Sequence, residues 1–130
     1  MEILQPPAWP KPKGFANGIV ATGRMVFLAG QVGWDKTETM VGDEFVTQAK
    51  QALSNIVAIL AEAGGRPEHV VRLTWFVTDR DAYLGSQKAL GKAYREVMGR
   101  HFPAMSLLVI SALVEEGAKV EIEATAVLPE

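Results

Sequence analysis

Two periodicities divide the chain. From Val70 to Thr78, Val71, Leu73, Trp75 and Val77 alternate with Arg72, Thr74 and Phe76, the period of two that a pleated strand produces. Lys119 to Val127 repeats it more strictly, with Val120, Ile122, Ala124 and Ala126 on one side and Glu121, Glu123 and Thr125 on the other. That strand buries one face and points carboxylates from its other face. From about Asp43 the period lengthens: Val46, Ala49, Leu53, Ile56, Val57 and Leu60 share a helical face and Gln48, Gln51 and Glu62 lie off it. The pattern predicts a helix of about twenty residues, ended by Gly64-Gly65-Arg66-Pro67. Tyr83, Leu90, Tyr94 and Val97 recur at helical spacing after the N-cap candidates Asp79 and Asp81, so a second helix runs to about Gly99, modestly weakened by Gly85 and Gly91.

Shorter runs complete the order. Ala16–Ala21 and Met25–Ala29 are separated by Thr22-Gly23-Arg24, the spacing of a tight hairpin. Pro103 restricts Phe102 and cannot donate to a ladder, which places a strand after it, at about Met105 to Ile110. Residues 1–13 form an extended, proline-rich lead-in; its Trp9 either covers a neighbouring subunit or packs onto its own sheet. The order strand, strand, helix, strand, helix, strand, strand describes one α+β domain over residues 1–130, a layer of helices on a sheet. Its second sheet face is left uncovered, and an apolar uncovered face needs a partner.

Composition narrows the chemistry. At 130 residues the chain fits one domain, small enough to gain from oligomerisation. Thirteen basic against fifteen acidic residues, net −2, give neither a broad positive field for nucleic acid nor a polybasic membrane patch. The absence of cysteine excludes disulfides, thiolate nucleophiles and cysteine–metal sites, and is compatible with the cytosol. Met1 to Pro7 has an early acid, no basic region and two prolines where an export signal needs an apolar core. Runs such as Ile56–Ala61 are too short to span a bilayer. The expectation is a soluble, cytoplasmic protein without nucleic-acid or membrane partners. His69 and His101 make no metal-ligand spacing and read as structural, so neither a metal nor a cofactor is expected.

Phe102-Pro103-Ala104 with Ser106, followed by Lys119-Val-Glu-Ile-Glu-Ala-Thr-Ala-Val127, resembles the Rid family, also called YjgF or endoribonuclease L-PSP proteins. Gly14-Phe-Ala-Asn-Gly18 with Met25–Val32, Val46–Ile56 with the Ala63-Gly-Gly turn, and Val70–Val77 agree with it, so the resemblance spans about Gly14 to Val127. It implies a chorismate-mutase-like (bacillary type) trimeric fold with a mixed six-stranded sheet and two helices on one face; the sixth strand rests on the resemblance alone. It also implies a homotrimer built around a central barrel, with small-molecule clefts at its three subunit interfaces.

The same resemblance assigns the candidate site. Glu121 matches the family's glutamate that positions a water or relays a proton; read from the strand alone it is equally a solvated or salt-bridged carboxylate. Glu123 reaches that site only if the cleft runs along the strand. Gln31, flanked by Gly30 and Gly33, matches a glycine–glutamine turn bordering the pocket, although the glycines are equally explained by the chain turning toward the helix. Met105 stands where the archetypal deaminases carry the arginine that holds the substrate carboxylate, and it offers neither charge nor donor. Phe15 replaces a tyrosine, Ala29 a serine and Leu107 a cysteine, while Gln87 falls within one residue of an asparagine. Ser106, Gln31 and Glu121 remain as polar handles in a pocket expected to prefer a less charged, more apolar or aromatic ligand. Arg72, mid-strand, is either an anion binder or an exposed rim arginine. Two functions fit: a hydrolase or deaminase of enamine or imine intermediates with a substrate other than 2-aminoacrylate, or a non-catalytic trimeric protein that binds or senses a metabolite. RNA cleavage, the activity behind one family name, finds no basic groove or histidine pair.

Overall fold

The computed structural model describes residues 1–130 and contains six strands and three α-helices. Strand β1 (Glu2–Leu4) pairs with β2 (Gly18–Val20) as a separate antiparallel ribbon. The main sheet has the order β3-β6-β4-β5, from β3 (Arg24–Gln31), β4 (Val70–Val77), β5 (Ala104–Val109) and β6 (Val120–Leu128). It is mixed: β6 runs antiparallel to β3 and β4, and β4 parallel to β5. Helices α1 (Phe45–Glu62), α2 (Arg80–Leu84) and α3 (Gln87–Met98) complete the chain. The expected α+β fold is present, with its six strands divided two and four.

The predicted N-terminal hairpin does not form. β3 takes the C-terminal strand as its partner, registered from Arg24 opposite Leu128 to Gln31 opposite Ile122. Gly18–Val20 instead pairs with Glu2–Leu4, which lay within the predicted lead-in. Gly23 permits this redirection: its φ is +150°, and a Cβ there would lie 2.0 Å from the Leu128 carbonyl oxygen. The second predicted helix is broken at Gly85-Ser86 into α2 and α3. Asp79 caps α2 by accepting from the Ala82 N–H at 3.0 Å, and the Tyr83 carbonyl accepts from both the Ser86 N–H and Gln87 Nε2 at the break.

The core lies between α1 and the sheet. Ala49, Leu53, Ile56 and Leu60 are fully buried against Leu73, Val77, Val120 and Ile122. Each buried Leu or Ile side chain contributes about 1.5–3 kcal/mol. Leu73, Trp75 and Val77 face the core as the alternation predicts, but a bulge at Val71 breaks it at the start of β4, so Val70 is the valine that reaches the core. Gln48, off the apolar stripe in the helical pattern, is nonetheless fully buried. Its Nε2 donates to the Gly42 and Gly117 carbonyls at 2.8 and 3.0 Å, and its Oε1 accepts the Lys119 N–H at 2.8 Å. A buried amide so satisfied clamps two loops to α1.

The sheet's other face is bare. Phe27 and Met25 on β3 are 74% and 59% exposed, and Leu108 on β5 is also exposed. Trp9 is exposed as well, so it does not pack onto its own sheet. No helix is long and apolar enough to cross a membrane.

Candidate functional site

One open cavity of about 300 Å³ forms where β4, β5, α2 and α3 meet the segment before β2. β5 runs parallel to β4 with Met105 beside Leu73 and Leu107 beside Trp75, so both side chains emerge on the helix-bearing side. Phe15 closes one wall, held by the Ala16 N–H donating to the Pro103 carbonyl at 3.0 Å. Gln87, in the first turn of α3, closes the opposite rim. Gly91 removes a side chain from α3 where the helix borders the cavity. Four candidate residues, Phe15, Gln87, Met105 and Leu107, are thereby brought together.

The remaining candidates lie elsewhere. Glu121 pairs with Phe76 on β4, three register positions from the Leu73–Met105 level and on the bare face. That offset is roughly 10 Å along the strands and roughly 10 Å across two interstrand spacings, with the sheet in between. The Glu121 side chain is half-buried and makes no hydrogen bond or ion pair within the chain. Its carboxylate lies over Gly30, where an added Cβ would meet Glu121 Cδ at 2.7 Å. Ala29 and Gln31 flank that glycine at the bulged end of β3, Gln31 Nε2 donating to the Ala29 carbonyl at 3.1 Å. Ser106, opposite Thr74, is exposed on the bare face, as are Arg72 and Glu123. The eight candidates are thus divided four and four between the two sides of the sheet, with Ser106 on β5 two strands from Glu121 on β6.

The cavity's own chemistry is aromatic. Trp75, Tyr83, Tyr94 and Phe102 line it, Tyr94 and Phe102 stacked at 5.4 Å between ring centroids. The Tyr94 hydroxyl donates to the His101 carbonyl at 2.6 Å, and burial raises its pKa well above the ordinary value, so it stays protonated. The Trp75 indole Nε1 is buried with no partner. Lys13 is the only formally charged side chain on the lining, and no carboxylate or imidazole of the same chain reaches it. Both histidines are occupied by backbone: His69 Nδ1 accepts the Arg66 N–H at 2.9 Å, and His101 Nε2 lies 2.6 Å from the Val70 carbonyl. No group of three His, Cys, Asp or Glu side chains is placed to hold a metal ion. Trp75, Tyr83 and Lys13 also line the cavity, and the sequence does not mark them as site residues, because strand and helix periodicity assigns the first two to the core. The signal was the helical spacing of Tyr83 on α2 and Tyr94 on α3, which puts both aromatic rings on the side that faces Met105 and Leu107 of β5.

A two-layer α+β domain with an aromatic cavity beside the Pro-Ala strand defines the class. The endoribonuclease L-PSP family model matches residues 9–128, and the chain belongs to this Rid/YjgF family. A RutC family protein of Synechocystis is 36% identical over 131 residues, covering 99% of this chain and 98% of the relative. The 2-iminobutanoate/2-iminopropanoate deaminase of Salmonella typhimurium is 33% identical over 108 residues, covering 83% of each chain. Among solved structures, the Rid-family protein YyfB of Yersinia pestis superposes with a TM-score of 0.86 at 29% identity, covering 98% of both chains.

Proposed function

We propose that the protein is a RidA-like hydrolase of enamine or imine intermediates whose substrate differs from 2-aminoacrylate. The observation that carries this reading is that Phe15, Gln87, Met105 and Leu107, at positions matching the family's pocket, line one cavity in a chain related to imine deaminases. Met105 supplies no charge for a small carboxylate, and the aromatic walls suit a more apolar body. The half-sites are completed by assembly: a homotrimer formed through the bare sheet face would bring Glu121 of one subunit to the cavity of the next. The exposed Phe27, Met25 and Leu108 favour such a partner. Water then adds to the C=N carbon while Glu121 takes its proton; return of a proton to nitrogen releases ammonia and leaves the carbonyl product. A cytoplasmic setting fits this chemistry.

One observation favours the second reading, a trimeric protein that binds or senses a metabolite without converting it. The cavity holds no acid or base of its own chain beyond Lys13 and two tyrosines. The test is carbonyl release from imines generated in situ from small and from aromatic amino acids, beside sedimentation. Hydrolysis abolished by Glu121→Gln in an intact trimer supports the enzyme; ligand binding without turnover supports the sensor; a monomer at micromolar concentration removes the composite site.

A further inference from the structure

Arg95 is a cation that the reaction above leaves unused. On α3, Gln87, Leu90, Gly91 and Tyr94 line the cavity at helical spacing, and Arg95 stands one turn beyond Gly91 on the same stripe. Helical side chains lean toward the N-terminus, so Arg95 lies back over that glycine. A Cβ built on Gly91 would meet Arg95 Nη1 at 3.2 Å, tighter than ordinary contact. Glycine inside a helix destabilises it relative to alanine, and Gly91 is the fifth of the twelve residues of α3. The missing side chain leaves the guanidinium a place at the cavity's border. Arg95 is exposed there and makes none of the chain's three ion pairs; the adjacent Glu96 is taken by Lys50 and Lys92.

We infer that Arg95 binds the carboxylate of the cavity's ligand, holding it at the α3 rim while the apolar body lies against Tyr83, Phe102 and Met105. A guanidinium presents a planar fork that meets a carboxylate in two parallel hydrogen bonds. Strand β5 offers nothing comparable, because Met105 has neither charge nor donor. Lys13, the one charge on the lining itself, is a single ammonium on a flexible stem and carries no such fork. The guanidinium of Arg95 sits at the border of the cavity, and its long unbranched stem supplies the remaining reach. The anion therefore enters from the helix side, away from the position that Met105 occupies. This inference rests on the reading that the cavity is the ligand site, and it assigns the residue that selects a ligand with an anionic end.

The probes are benzoate and its neutral counterpart benzamide, titrated calorimetrically into the intact chain. Benzoate is expected to bind about tenfold tighter than benzamide at low salt, and the gap should narrow as ionic strength rises. Arg95→Gln should weaken benzoate roughly tenfold, the worth of a charge-assisted contact discounted for an exposed position, and leave benzamide unchanged. Arg95→Lys should recover part of the loss, and Lys13→Gln should leave the preference for benzoate in place. Equal affinities of the wild type for the two probes, a loss that benzamide shares, or a preference abolished by Lys13→Gln overturns the inference. The wild-type and Lys13→Gln titrations decide this even if an Arg95 variant fails to fold. In the imine assay, Arg95→Gln should raise KM with little change in kcat, as the loss of an anchor that does not enter the chemistry requires. The two readings fail separately. Imine hydrolysis with an unchanged KM in Arg95→Gln leaves the hydrolase and removes this assignment; benzoate held by Arg95 with no imine turned over removes the hydrolase and leaves the assignment.

Discussion

Gly30→Ala and Gly33→Ala, two small substitutions either side of Gln31, are expected to do opposite things. Neither glycine has a positive φ, so alanine meets no backbone penalty at either position and only the neighbours decide. At Gly30 the new Cβ would stand 2.7 Å from Glu121 Cδ, 2.9 Å from Cγ and 3.0 Å from Oε2. Reaching ordinary contact at 3.4 Å requires the carboxylate to move by at least 0.7 Å. The Glu121 side chain is half-buried and makes no bond within the chain, so it swings aside and stability changes by no more than about 0.5 kcal/mol. A displacement near 1 Å of a positioned catalytic group costs up to roughly a hundredfold, so imine hydrolysis should fall by about ten- to a hundredfold. At Gly33 the Cβ would stand 2.8 Å from Gln48 Cα and Cβ, atoms fixed by α1 and by the three-way amide clamp. Overpacking of that kind costs about 1–3 kcal/mol before any clamp bond is lost. At roughly 3–6 °C per kcal/mol for this chain length, Gly33→Ala should melt about 3–18 °C early. Thermal unfolding followed by circular dichroism, beside the imine assay, separates the two. Full activity in Gly30→Ala, or wild-type melting in Gly33→Ala, would refute the reasoning.

Met105→Arg should tighten pyruvate by roughly ten- to a hundredfold, the worth of a charge-assisted contact of about 1.5–3 kcal/mol; calorimetry showing no change would mean the cavity does not present that position to a carboxylate. Phe27→Asp, placing a charge on the more exposed of the two large apolar side chains that β3 presents on the bare face, should convert the proposed trimer to monomers in sedimentation velocity at micromolar concentration with the fold retained. Thermal stability should decline on the acid side through Glu96, whose pKa is lowered from 4.5 chiefly by the Lys50 hydrogen bond between α1 and α3. A carboxyl depressed in the folded state contributes stability above its unfolded pKa and loses it as the pH falls through the folded one, so Glu96→Gln should narrow the gap between melting temperatures at pH 7 and pH 3.

The alternating and helical patterns were legible because burial imposes them: β4, β6 and α1 lie within two or three residues of their expected positions. What failed was partnership. Nothing in Ala16–Ala29 says that β3 will prefer a strand almost a hundred residues away to its neighbour across Thr22-Gly23, because register is set by the facing strand as much as by the turn. The helix break at Gly85 needed the competing acceptor at the Tyr83 carbonyl, which periodicity does not encode. Within the site, the Pro-Ala motif located Met105 and Leu107 but not the sheet face of Glu121 relative to them. That follows from strand parity across two different ladders, which sequence cannot number until pairing is known. Strand periodicity puts Trp75 in the core, where it lies; its unpaired nitrogen exists only in three dimensions.

The division of the site across the sheet has a genetic consequence. If each cleft takes its aromatic cavity from one subunit and its carboxylate from the next, a cavity-defective chain and a carboxylate-defective chain are each inactive alone but not together. Co-refolded in equal amounts, they would place two intact halves at roughly one cleft in four, as random assortment around a closed ring requires. Two dead alleles would then complement each other within a single cell, and one allele in excess would poison the clefts of its wild-type partner.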